Sequence, residues 1–136
     1  MKKDIELKAQ RDRDLYCVYC RCLRECDFAS MRDAADYVRK QPASQFYISS
    51  REAMRHIVNI NMGYSLEHLN PLAKKRILLI YERYMKYRRE HPESTPGESI
   101  EIVVEQPAPE FYIGAEMSRK ILQKERRKAR EKWLGY

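Results

Sequence analysis

Glycine is scarce in this chain, at four residues in 136. None of them builds a phosphate-cradling Gly-rich loop or a Gly-x-Ser-x-Gly elbow, and no His-Glu-x-x-His pair occurs. The three histidines, His56, His68 and His91, stand apart, without a nucleophile or carboxylate at motif spacing. These absences point away from an enzyme, and no cofactor or small-molecule substrate is expected. Long apolar runs are missing too: nothing approaches the ~18 residues of a membrane span, and the start Met1-Lys2-Lys3-Asp4 lacks the apolar stretch of a secretory signal. The expectation is a protein of the cytoplasm with no membrane contact.

What the chain has in quantity is charge, 35% of its residues, with a formal net of +7. That excess is not spread evenly. Between Arg119 and Lys132 eight Lys or Arg face Glu125 and Glu131, whereas the stretch from Glu90 to Glu116 holds seven Glu and no Lys or Arg. The basic end suits a polyanion; the acidic stretch would repel a phosphate backbone.

Self-comparison gives the chain its organisation. Gln41-Pro42-Ala43-Ser44-Gln45-Phe46-Tyr47-Ile48 recurs as Gln106-Pro107-Ala108-Pro109-Glu110-Phe111-Tyr112-Ile113, an offset of 65 (106 − 41). The same offset pairs Tyr16 with Tyr81, Tyr19 with Tyr84, Arg24 with Arg89, Glu25 with Glu90 and Val38 with Val103, which makes 11 identities over 34 aligned positions. Downstream, Ser50–Ile57 matches Gly114–Ile121 more loosely, after one deletion. The reading is an all-α tandem duplication of a three-helix, helix-turn-helix-like unit, with one copy over 1–64 and the other over 65–136, the second ending in a long basic helix.

In the first copy a helix from about Asp4 to Cys26 carries Leu15, Tyr16, Val18, Tyr19, Cys22 and Leu23 at helical spacing. A second follows the cap Ser30 and stops before Pro42; a third follows Ser49 or Ser50 and ends near Gly63. In the second copy Asn70-Pro71 marks a helix start, and the last helix spans Ala115 to about Trp133. Ser99-Ile100-Glu101-Ile102-Val103-Val104 alone would suggest a strand, and only the repeat makes it a helix. Phe46 and Ile48 are expected to be buried in the turn.

A helix-turn-helix places its third helix in the major groove, where Arg, Lys, Asn and Gln read bases and phosphates. On the first third helix Arg51, Arg55 and Asn59 fall at i, i+4 and i+8, with Ser50 and His56 beside them; on the second, Arg119, Lys120, Gln123, Lys124, Arg127 and Arg130 are denser. The expected partner is duplex DNA, contacted by Arg51, Arg55, Asn59, Arg119, Lys120, Lys124, Arg127 and Arg130. The rival reading is a protein-interaction or structural module of a phage-like assembly, in which the repeat faces pack against another protein.

Cys17, Cys20, Cys22 and Cys26 invite zinc, but on one helix, at about 100° per residue, the first two face one side and the last two roughly the other. The matched positions are Glu82, Met85, Tyr87 and His91, so no metal is expected. Six of the ten tyrosines (Tyr16, Tyr19, Tyr47, Tyr81, Tyr84, Tyr112) are repeat-matched and read as core rather than as a base-stacking set.

The block Gln-Pro-Ala-x-x-Phe-Tyr-Ile-Ser at Gln41 to Ser49 resembles a signature of small proteins encoded by gut Bacteroides-type bacteria, often near phage or mobile elements. The resemblance covers nearly the whole chain and implies a context rather than an activity.

Overall fold

Caps set where the helices begin. The Ser30 hydroxyl accepts the Asp33 amide (3.1 Å), Ser49 the Glu52 amide (3.1 Å), and the Asn70 side chain the Ala73 amide (2.8 Å), each meeting one otherwise orphaned first-turn donor. The computed structural model, which describes residues 2–135, accordingly has six α-helices: α1 Lys2–Glu25, α2 Met31–Val38, α3 Ser50–Asn61, α4 Pro71–Glu90, α5 Pro96–Val104 and α6 Ala115–Trp133. Among the described residues there is no strand, and extended pairing is confined to one antiparallel bridge between Ala43 and Ala108.

The segment whose composition suggested a strand is helix α5. Thr95 and Glu98 form a reciprocal capping box, with Pro96 at the first helical position. Ile100, Val103 and Val104, spaced i, i+3 and i+4, are buried. Nucleation at the cap and burial at helical period together outweigh the β propensity of Ile and Val.

The helices gather into two compact units, one of residues 1–7 and 44–107, the other of residues 8–43 and 108–136. In the first, α3 packs against α4 and α5, which also pack on each other. Its core holds Phe46, Ile48, Ala53, Ile57, Ile77, Ile80, Tyr84, Ile100 and Val103. Phe46 is fixed on several sides: its amide donates to the Val104 carbonyl (3.1 Å), and the Arg83 guanidinium lies 5.1 Å from its ring centre.

In the second unit α2 packs along α6, above a core of Leu15, Val18, Tyr19, Ala35, Val38, Phe111, Ile121 and Leu122. The buried Ser118 hydroxyl donates to the Ala35 carbonyl at 2.8 Å. Ala43 and Ala108 exchange two backbone hydrogen bonds (2.9 and 3.0 Å), and the Phe111 amide donates to the Arg39 carbonyl at 3.0 Å.

These units are not the contiguous halves 1–64 and 65–136. Each takes helices from both halves of the sequence, with α3 in the unit of α4 and α5, and α6 in the unit of α2. The consecutive helices α2 and α3, and likewise α5 and α6, therefore fall in different units. The segments 41–49 and 106–114 that join them each carry one residue of the Ala43–Ala108 bridge and one residue with positive φ.

Several positions 65 apart share a local feature. Ser30 and Thr95 are N-caps, as are Ser49 and Gly114. Leu15 and Ile80, Tyr19 and Tyr84, Ala53 and Ser118, His56 and Ile121, and Ile57 and Leu122 are buried pairs. Tyr47 and Tyr112 share a positive φ, 55° and 57°, a region few non-glycine residues enter.

Candidate nucleic-acid interface

On α3 the buried face is Ala53, His56 and Ile57, which leaves Arg51 and Arg55 exposed and Asn59 half-buried. His56 is not on the outward face expected from its neighbours. It is 6% exposed, with Nε2 4.0 Å from a Glu52 oxygen and Nδ1 without a hydrogen-bond partner. Burial, and next the Arg55 charge, push its pKa below the ordinary histidine range, so the imidazole sits neutral in the first unit.

On α6 the inward face is Ser118, Ile121, Leu122 and Glu125. Lys120, Gln123, Arg127 and Arg130 are exposed, and Arg119 and Lys124 half-buried. The last two are engaged: Arg119 grips Glu116 in the first turn of its own helix, and Lys124 donates to Asp12 at 2.6 Å. Asp12 is a buried carboxylate on α1, held also by Arg11 at 3.0 Å. Lys124 therefore ties α6 to α1 rather than standing ready for a phosphate, and Arg119 has its charge partly answered; the Arg119 contact also holds the Glu116 carboxyl below the usual carboxylate range.

Beyond Glu125 the helix changes character. Every described residue from Arg126 to Gly135 is exposed, so the last two turns of α6 are open on all sides. They carry Arg126, Arg127, Lys128, Arg130 and Lys132 against Glu131, and Arg130 and Lys132 sit in the last turn, where the helix dipole favours cations. Arg126 is not among the eight expected contacts, and its exposure, which sequence alone does not display, is the signal that finds it.

Of the eight expected contact residues, Arg51, Arg55 and Asn59 belong to the first unit, and Arg119, Lys120, Lys124, Arg127 and Arg130 to the second. Of the four cysteines Cys22 is buried, Cys17 is exposed, and Cys20 and Cys26 are both half-buried, so burial does not follow the two sides expected from helical angle. No helix among the described residues is long and apolar enough to cross a membrane. Comparison of the chain with protein-family models, with curated proteins and with solved structures finds no match.

Proposed function

We propose that this chain is a non-catalytic DNA-binding protein that grips the duplex backbone with the free end of α6. The observation that carries the reading is the density of cations on two helical turns exposed all round. Phosphate contacts by Arg and Lys dominate affinity for DNA, and a helix about 10–12 Å across matches a major groove of about 12 Å. Lys120, Arg126, Arg127, Arg130 and Lys132 are the contacts of this reading. Arg51 and Arg55, one turn apart on α3 just after the Ser49 cap, are placed where a groove-reading pair would stand.

A tandem duplication with exchanged third helices is the architecture proposed to present these faces. Equivalent caps, equivalent buried positions and paired left-handed tyrosines at an offset of 65 support it. So does a reciprocal hydrogen bond: Phe46 to Val104, and Phe111, 65 positions after Phe46, to Arg39, 65 positions before Val104. The test is anisotropy of a labelled duplex titrated with the full chain at several salt concentrations. About four or five phosphate contacts at roughly −0.9 each give a log–log slope near −4. No binding at low salt would end the DNA reading and favour the interaction-module one, in which the cations of α6 meet an acidic protein partner.

A further inference from the structure

The outward face of α3 holds more than the two arginines that the proposed function uses. At about 100° per residue, Arg51, Arg55, Val58 and Met62 fall within about 60° of one another, on the side opposite the buried Ala53, His56 and Ile57. All four are exposed, Val58 at 46% and Met62 at 60%. A lone exposed apolar side chain is ordinary on a protein surface. Two of them in line with two guanidinium groups form a pattern, and the chain contains its own control for it. The positions 65 further along, Glu116, Lys120, Gln123 and Arg127 of α6, are exposed too and carry no apolar side chain. Burial of the opposite face therefore does not require valine or methionine here. Valine is also a poorer helix former than the glutamine at 123.

We propose that Val58 and Met62 read thymine: the two side chains meet C5 methyl groups on the floor of the major groove while Arg51 and Arg55 meet guanine. The inference rests on the DNA reading of α3 and adds to it a class of site. Of the four bases only thymine presents a methyl group in the major groove, whereas cytosine presents an amino donor, which an apolar side chain would leave unpaired. Guanine offers two acceptors, O6 and N7, that one guanidinium takes together. At about 1.5 Å per residue Val58 lies about 4.5 Å beyond Arg55 and about 10.5 Å beyond Arg51 along the axis, and Met62 about 6 Å further. With base pairs about 3.4 Å apart, a helix lying along the groove sets one thymine about one to three pairs from guanine and a second about two pairs on. A protein that covered Val58 and Met62 would have to strip water from the two guanidinium groups in line with them. The groove answers cations and apolar groups on one surface.

The experiment enriches, from random-sequence duplexes, those that the full chain binds best, and then replaces each thymine in them with deoxyuridine. That exchange keeps the base pair and the phosphates and removes one methyl group. Titration by anisotropy should show affinity falling about fourfold at the thymines that face Val58 and Met62, the worth of one buried methyl group, and unchanged at the others. Val58→Ala should abolish one of these effects and Met62→Ala the other. Both variants should keep the helical content and the salt slope of the wild type, because neither removes a phosphate contact. Duplex binding in which no thymine is sensitive to loss of its methyl, or a sensitivity that both variants retain, would overturn the inference and leave the DNA reading standing. A chain that binds no duplex at low salt would overturn both.

Discussion

Lys124 and Asp12, 112 positions apart in the chain, meet at 2.6 Å, and the acid is buried while the lysine keeps 41% of its side chain exposed. The pair is therefore asymmetric. Removing Lys124 leaves a buried carboxylate with Arg11 as its remaining cation, whereas removing Asp12 leaves a lysine that water can still reach. Lys124→Met should lower stability by about 1–3 kcal/mol. Asp12→Leu should be close to neutral, since the position 65 further on is the buried Ile77. Urea unfolding of the two variants checks the order, and equal losses would contradict it.

His56 makes stability depend on pH in a stated direction. Its folded pKa is depressed by burial and by Arg55, so the unfolded chain binds the proton more readily. The His56 contribution is fully present above the unfolded value near pH 6.5 and is lost as pH falls below it, with a slope of at most about 1.4 kcal/mol per pH unit. His56→Gln should flatten the wild-type curve in that window. Superimposable pH profiles would show that burial of the neutral imidazole is not the cause.

The cap of α5 is expected to matter more than its exposure suggests. Thr95→Ala removes the acceptor for the Glu98 amide and breaks the capping box, at a cost of about 1 kcal/mol. Amide exchange should speed up over residues 96–104 first, because that segment otherwise has strand-forming composition.

Much of the fold is legible locally and little of it tertiarily. Asn70-Pro71, Ser30 and Ser49 announce their helices because a cap is a matter of three or four neighbouring residues. Helix α5 is readable by comparison with positions 31–38 and not from its own Ile and Val. The packing of α3 with α4 and α5, that of α6 with α2, and the Asp12–Lys124 pair rest on contacts between distant segments, for which no local pattern exists. His56 sits one residue from Arg55 and so looks outward in a list of polar neighbours. Its place 65 positions before Ile121, and one before Ile57, is the signal that it faces the core.

The engaged and open cations of α6 should separate in binding. Arg127→Ala and Arg130→Ala should each weaken binding to any duplex and flatten the salt slope by about one unit. Arg119→Ala should do less, because its guanidinium is already on Glu116. Arg51→Ala or Arg55→Ala should instead change preference among sequences, at about 1–3 kcal/mol on the favoured site. Competition titrations with unrelated duplexes distinguish the two behaviours.

The most direct measurement is duplex binding by the full chain across about 50–200 mM salt, beside the double variant Arg127→Ala, Arg130→Ala. The account predicts a wild-type log–log slope near −4 that falls toward −2 in the variant, with affinity lost on every sequence alike. Absence of duplex binding at the lowest salt, or a variant that binds with the wild-type slope, would contradict it.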